Sequence, residues 1–590
     1  ALSAFFCASL CLAQTASKSL EPLDSNLNKM PFKTEKGANP NILFIISDDH
    51  GWGDLPSNWD KTEVQMPRLD ALANSGTRFT NYHTVPLCAP SRACLFTGQF
   101  TSENGMWRGP GGVPGEPGYK GIKRDVKMLS EYLSDAGYAT GCFGKWHMGA
   151  QPGEFPNDRG FDEFRGFLSG SSAYWIKKER SKILHNGKPD KTEGHTTELF
   201  TKWSADFIRE NAVKEKPFFC YLSYNAVHGP IRTDKSKPSS APKEWVDKAI
   251  GRGVSFLRSD YVAVLEHMDY NIGKLVDLLD ELKIRENTLI VFVSDNGACQ
   301  MAEGPGGRFP GNNGAFRGCK GTTYQGGLSV PFLMNWQNQF PEGTISDSQV
   351  MHADVFATLL DVAGIPLPKM NGKNPIRGMS LISHMKSGGQ TAIPGRTMIF
   401  ELWGNVAIRK GNYKLWGDVG RDFSPDWPAL VAKLKKSDLT LFDLSKDIGE
   451  QKDLRMQLPE VYVSLKKELV DHFINVNAEY PSAKTHPELF AAYKNVPELP
   501  AKKSQKKTAP KSTVTKPGPT SVKKGRKNAF VAMDSNENGK VSLEELDGWF
   551  KNRAEKNPDK FTYKAEQARA ALIKQDTNKD DELTLEEWTK

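Results

Sequence analysis

The chain has 590 residues, 38% of them hydrophobic, and a formal net charge of +8. That is more than one ordinary domain, with enough apolar content for a sizeable core and, after the N-terminus, no run near the ~20 apolar residues of a membrane-spanning helix. The positive charge does not point to nucleic acid: residues 501–528 hold ten Lys or Arg and no acid, residues 529–590 hold ten bases against fourteen acids, and the first 500 residues are close to neutral.

Residues 1–13 read ALSAFFCASLCLA, apolar and uncharged. They resemble the h-region of a secretory signal, so we expect a partial signal peptide and a secreted or periplasmic protein, without stable membrane insertion. Asn41–Ser47 (NILFIIS) and Thr288–Ser294 (TLIVFVS) are continuous apolar runs, which suit strands buried on both faces of a parallel sheet. Each ends in oxygen-bearing side chains: Asp48 and Asp49 after the first, Asp295 and Asn296 after the second. Between them, Val126–Ala136 and Asp260–Lys283 predict helices, and Thr140–Phe143 and Pro217–Ser223 predict strands. The alternation predicts a doubly wound, mostly parallel α/β sheet over residues 14–377, with ligands gathered beyond the carboxyl ends of its strands.

From Gly378 to residue 498 the pattern changes to short strands (Thr397–Trp403, Val406–Arg409, Tyr413–Trp416, Leu439–Leu444) and one helix (Glu460–Asn475). This predicts a smaller α+β subdomain. Residues 499–528, rich in Lys, Pro, Ser and Thr, have little to bury and read as a solvated tether. Residues 529–590 predict an all-α module with two EF-hand loops. The first carries Asp534, Asn536, Asn538, Lys540, Ser542 and Glu545, with Gly539 at the turn. The second carries Asp576, Asn578, Asp580, Glu582, Thr584 and Glu587, with Asp581 at the turn position that glycine usually fills. Calcium is the expected ion in both. Of the eight cysteines, Cys142 and Cys220 sit in strand-like runs and predict buried free thiols.

Asp48, Asp49, Asp295 and Asn296 offer oxygen only, which favours calcium, or alternatively magnesium, over zinc. Cys88-Ala89-Pro90-Ser91-Arg92, continuing to Leu95, Thr97 and Gly98, then carries a resemblance. C-x-P-S-R-x-x-L-x-T-G is the signature of type I sulfatases of the alkaline phosphatase superfamily, and every fixed position matches. Gly144-Lys145-Trp146-His147-Met148-Gly149 is similar to that family's G-K-W-H-x-G, Tyr224–Pro230 to its histidine-bearing loop, and Arg317-Gly318-Cys319-Lys320-Gly321 to its R-G-x-K-G segment. The resemblance spans Asn41 to Tyr480 and implies an alkaline-phosphatase-like fold.

It also implies a reaction. In that family a maturation enzyme oxidises the cysteine to formylglycine, whose hydrated aldehyde is the nucleophile. The metal would be held by Asp48, Asp49, Asp295 and Asn296 and would touch residue 88. Arg92 and Lys145 would orient the nucleophile. Lys320 and His228 would contact sulfate and the ester oxygen, one of them protonating the leaving alcohol. His147 would take the proton that lets the carbonyl reform and sulfate depart. In an extended segment Lys145 and His147 would share one face. Two positions depart from the family pattern: Asn104 stands where a histidine is frequent, and Gln325 where glutamate is usual. The expected substrate is a sulfated saccharide or an aryl sulfate, with specificity in Ser169–Thr196, Ile231–Phe256 and Met301–Phe316. The alternatives are a formylglycine-dependent phosphodiesterase or phosphonate hydrolase, and a non-catalytic sulfoglycan-binding protein.

Overall fold

The computed structural model describes residues 39–110, 121–122, 126–229, 231, 238–299, 311–368, 375–420 and 427–476, together with 540–542, 547 and 582–584. The N-terminal apolar stretch, the Lys-rich linker and most of the expected calcium ligands lie outside the described residues. The chain divides into two compact units, residues 1–496 and 497–590.

The first unit is built on a ten-stranded sheet. Its strands run in the order Thr344–Ser346, Thr77–Phe79, Phe332–Asn335, Thr288–Ser294, Asn41–Ser47, Phe218–Ser223, Ala139–Lys145, Glu163–Phe167, Leu184–His185 and Lys188–Pro189. The five from Thr288–Ser294 to Glu163–Phe167 are mutually parallel. Asn41–Ser47 is central and wholly buried, and its side chains alternate between two cores, as a period of two requires. Leu43 and Ile45 join one core with Phe292, Leu222 and residues of the Thr196–Val213 and Phe256–Glu281 helices. Ile42, Phe44 and Ile46 join the other with Val291, Tyr221 and residues of the Cys88–Thr97 and His352–Val362 helices. This is the expected doubly wound arrangement. The mixed edges arise because Phe332–Asn335 runs antiparallel to Thr288–Ser294.

Residues just past Gly378 still belong to this layered core, since Leu381, Ile382 and Met385 pack with the main-sheet cluster. The four-stranded antiparallel sheet follows: Thr397–Leu402, Asn405–Lys410, Tyr413–Asp418 and Thr440–Asp443. The Pro459–Asn475 helix buries Leu465, Leu469, Val470 and Phe473 in the same cluster as Val406, Ile408 and Leu415 of that sheet. None of the six described cysteines forms a disulfide. Cys142 and Cys220 are buried as expected, and burial pushes the Cys220 thiol up to about 12.

The second unit was expected to be all helical. Its described part includes an antiparallel strand pair, Lys540–Ser542 with Glu582–Thr584. The register sets Val541 opposite Leu583, the same position in each of the two loops read from the sequence. Two adjacent loops can satisfy backbone groups through such a ladder, which the helical pattern of the flanking residues does not reveal.

Among the described residues, no helix is long and apolar enough to cross a membrane.

Candidate active site

The parallel strands end in one place, and their backbones lock the site together. The Asp48 N–H donates to the Ala226 carbonyl at 2.8 Å, the Val227 N–H to the Asp48 carbonyl at 2.7 Å, and the Asp295 N–H to the Ser47 carbonyl at 3.1 Å. Asp49 leaves the strand with φ 62, a left-handed conformation that Asp tolerates better than most residues. Its carboxylate therefore turns back over the sheet end.

Cys88 begins a ten-residue helix after the extended Leu87, and the left-handed Gly98 closes that helix, its N–H donating to the Cys94 carbonyl. The thiol thus sits at the positive end of a helix dipole. Burial pushes the thiol pKa up, but Lys145 and Lys320 outweigh it and hold Cys88 at about 6. Arg92 is one turn further on and fully buried. Its guanidinium donates to Asp295 Oδ2 from Nε at 3.1 Å and from Nη2 at 2.9 Å, and Nη1 donates to Ser223 Oγ at 2.6 Å and Tyr221 OH at 3.2 Å. With all three guanidinium nitrogens hydrogen-bonded and a carboxylate opposite, the buried charge is tolerated.

Lys145 ends its strand and donates from Nζ to Asp48 Oδ2 at 2.6 Å, both side chains fully buried. Lys320 Nζ lies 2.6 Å from Asp49 Oδ1, and Asn296 Nδ2 donates to the same oxygen at 2.7 Å. Burial raises the Asp49 pKa, but Lys320 and His228 pull it below the usual carboxylate range; burial, helped by Asp295, leaves Asp48 well above it. His228 Nδ1 donates to the Gly229 carbonyl at 2.6 Å, and its Nε2 lies 3.8 Å from Asp49 Oδ2. Burial lowers its pKa, but Asp48 and Asp49 override that and raise it to about 9. Tyr174 steadies this loop, its hydroxyl reaching the carbonyls of Asn225 and His228 at 3.1 and 3.0 Å.

His147 corrects one expectation. The strand stops at Lys145, and His147 adopts φ 58, so the two residues do not share the face of an extended segment. The backbone turns after Trp146, whose N–H still pairs with Phe167, and the His147 N–H donates to Leu168. Burial, and then Lys145 and Arg92, keep the His147 ring well below its ordinary pKa, and its buried Nδ1 has no hydrogen-bond partner. A neutral imidazole of this kind can accept a proton. Gly170 packs on that ring: a Cβ there would lie 2.7 Å from Cε1 and Nε2. Gly170→Ala is therefore expected to lower kcat about 10-fold by displacing the ring. Steady-state kinetics beside a denaturant titration check this, the stability staying within about 1 kcal/mol of wild type.

The donor set fits a hard divalent cation. Asp48, Asp49, Cys88 and His228 present ligand atoms within 4.8 Å of one another, the one such cluster among the described residues. Asp48 Oδ1 and Asn296 Oδ1 are buried oxygens without a hydrogen-bond partner. Buried acceptors are rarely left so, and oxygen donors beside carboxylates suit calcium or magnesium. Asp295 is held differently, with Oδ2 taken by Arg92 and Oδ1 accepting the Asp49 N–H at 3.2 Å.

Sequence reasoning missed several supports. The Thr84 hydroxyl donates to the Asp295 carbonyl at 2.6 Å, contacts Ser91 Oγ at 2.7 Å, and pairs with His352 Nε2 at 2.8 Å. Tyr221 and Ser223 alternate along one strand, a polar period-two pattern that could have marked a face turned toward Arg92. Asn104 is a structural residue here: fully buried, it donates to Thr97 Oγ1 at 3.1 Å and accepts the Met106 N–H at 2.8 Å.

A cysteine at a helix N-terminus, ringed by carboxylates and buried cations at the carboxyl edge of a parallel sheet, suits a hydrolytic α/β enzyme that takes anionic esters. The chain belongs to the Sulfatase family, whose model matches residues 40–365, and it is a sulfatase enzyme. It is 30% identical over 464 residues to N-acetylgalactosamine-6-sulfatase of Mus musculus, covering 72% of this chain and 84% of the relative. It is 28% identical over 498 residues to arylsulfatase G of Canis lupus familiaris, covering 75% and 87%. Among solved structures, Ps i-CgsB superposes with a TM-score of 0.63 at 27% identity, covering 77% of this chain and 97% of that one.

Proposed function

We propose that this chain removes sulfate from a sulfated saccharide or aryl sulfate, with residue 88 acting as formylglycine. Converted in this way, residue 88 supplies a hydrated aldehyde whose hydroxyl attacks sulfur. A calcium or magnesium ion held by Asp48, Asp49, Asp295 and Asn296 against residue 88 supplies charge that the attacked sulfate and the nucleophile both need. The single observation that carries the reading is the convergence of Lys145, Lys320, Arg92 and His228 on Cys88 and three carboxylates.

Each residue then has a role. Arg92 and Lys145 hold Asp295 and Asp48 and fix the field at residue 88. Lys320 neutralises a sulfate oxygen, and its ammonium stays charged because burial, which lowers its pKa, is outweighed by the carboxylates of Asp49, Asp48 and Asp295. His228, whose protonated form Asp48 and Asp49 favour against the effect of burial, is the acid for the leaving alcohol. His147, neutral, is the base that removes a proton from the hydrate's remaining hydroxyl. The maturation enzyme is the partner this chemistry requires.

The test is mass spectrometry of the peptide spanning residue 88 in protein from its native source. Formylglycine is about 18 Da lighter than cysteine, because a carbonyl oxygen replaces SH and H. An unmodified thiol in active native protein sinks the reading. The saccharide side of the proposal is supported by the relatives: one is named for N-acetylgalactosamine 6-sulfate, and Ps i-CgsB has been solved with a neocarrahexaose. A desulfation screen over a panel of sulfated saccharides tests that side, and release of sulfate from none of them overturns it.

For residues 529–590 we propose two calcium loops, in a protein that works outside the cytoplasm. The support is the ligand spacing from Asp534 to Glu545 and from Asp576 to Glu587, together with the matched Val541–Leu583 register. Glu545→Gln is expected to weaken calcium binding at the first loop at least about 10-fold. Calorimetric titration of the chelated full chain measures it, and unchanged binding removes Glu545 from the ligand set.

A further inference from the structure

The Lys320 segment is held from outside the catalytic layer. Arg317–Leu328 forms a compact turn in which the Gly326 N–H donates to the Arg317 carbonyl at 2.7 Å. Its middle reaches the site, since the Lys320 N–H donates to the Ala298 carbonyl at 3.1 Å while Nζ meets Asp49. Its two ends are gripped by one residue of the four-stranded subdomain. The Glu450 carbonyl accepts Arg317 Nη1 at 2.7 Å, and Glu450 Oε2 accepts the Gln325 N–H at 2.7 Å.

Glu450 is fully buried and has φ 53, so its backbone turns sharply to present both groups. Lys414 Nζ, also fully buried, lies 2.7 Å from Glu450 Oε1 and donates to Gln325 Oε1 at 3.2 Å. That bond orients the Gln325 amide, whose Nε2 donates to His83 Nε2 at 3.0 Å. Beside this network Tyr324 stacks on Trp416 at 4.1 Å and 19°, and the Arg317 guanidinium lies 4.2 Å from the Tyr324 ring centre. A carboxylate with no water competing for it holds its donors firmly. The same geometry answers what Gln325 does in place of an acid: the carboxylate beside the Lys414 ammonium comes from Glu450.

We propose that Glu450 and Lys414 are positioning residues that act through the Arg317–Leu328 turn to set the Lys320 ammonium against Asp49 and the substrate anion. The subdomain is then part of the catalytic apparatus. The inference rests on the role given to Lys320 under Proposed function, and its test separates the two.

The experiment uses the full chain with Glu450→Gln, which keeps size and an acceptor oxygen but removes the charge. A second variant, Trp416→Leu, removes the ring stack and leaves the buried ions in place. Hydrogen exchange is followed by mass spectrometry, and kcat and KM for an aryl sulfate are measured with and without Lys320→Ala. Exchange in residues 317–328 is expected to rise at least about 10-fold while residues 397–418 stay protected. In the Lys320 background kcat/KM is expected to fall about 10-fold, and in the Lys320→Ala background less than about 2-fold. Equal losses in both backgrounds, or exchange rising throughout the four strands, overturn the proposal by showing a purely structural contact. Should Glu450→Gln not fold, the double variant Glu450→Gln with Lys414→Met, which leaves no buried charge unpaired, decides by the same criteria, and Trp416→Leu reports on the ring stack alone. If Lys320→Ala alone keeps the wild-type rate, the Lys320 role fails, and exchange at residues 317–328 still decides whether Glu450 holds the turn.

Discussion

Cys88→Ser is expected to abolish multiple turnover, by a factor on the order of 10⁵ to 10⁶, as loss of a nucleophile that acts together with its neighbours does elsewhere. The loss should come without unfolding. Serine is close to cysteine in size, and residue 88 keeps its place at the start of the helix with Arg92 one turn beyond. The chemistry explains the size of the effect. A hydrated aldehyde carries two hydroxyls, so after one is sulfated the other can expel sulfate as a carbonyl reforms. Serine has one hydroxyl, and a serine sulfate would be stranded. The measurement is sulfate release from an aryl sulfate over many turnovers, alongside the mass of the peptide spanning residue 88. A serine variant turning over near the wild-type rate removes residue 88 from the mechanism.

The second large effect is on stability in mild acid. His195, His267 and His352 are buried, and burial lowers their pKa values from 6.5 to about 4, 3 and 3. His267 faces the Glu198 carboxylate at 3.1 Å, but Glu198 is more than half exposed and too well solvated to hold a buried charge. The unfolded chain binds protons at these rings from pH 6.5 downward, and the folded chain does not. Their contribution is therefore complete above pH 6.5 and is lost as pH falls toward the folded values. At pH 5 the loss is about 2 kcal/mol for each ring, or about 6 kcal/mol for the three, against a typical total of about 5–15 kcal/mol. Asp269, raised by burial to about 7, and Glu154, Glu163 and Glu266, raised by burial, run the other way and offset part of this, while His50 and His472, lowered by burial to about 4 and 3, add to it. The expected net loss between pH 7 and pH 5 is on the order of 3–6 kcal/mol. Chemical denaturation across that range measures it, and a midpoint that stays constant to pH 5 contradicts neutral burial of these rings.

Much of the architecture was legible because it is local. Apolar runs such as Asn41–Ser47 and the acidic residues that end them need only a few neighbouring positions to be read. The strands from Thr397 onward and the Pro459–Asn475 helix fell within a few residues of their expected bounds. What sequence did not disclose is long-range. Nothing near Arg92 announces Tyr221 and Ser223, and nothing near Lys320 announces Glu450, because these contacts depend on how separate strands register. The left-handed turn at His147 escaped for another reason: an extended reading of residues 145–147 satisfies every local preference, and only the competing pairing of Trp146 with the Phe167 strand ends it.

The parallel pairing of Asn41–Ser47 with Thr288–Ser294 also sets a clock. Arg92 and its partner Asp295 are 203 positions apart, so the pocket around residue 88 cannot close until that much more chain has been made. At roughly 5–20 residues per second, that takes on the order of 10–40 s after Arg92 is added. In the finished fold residue 88 is 3% exposed. If residue 88 is converted as proposed, its thiol is open to a second protein only in the growing or unfolded chain, before these two strands pair.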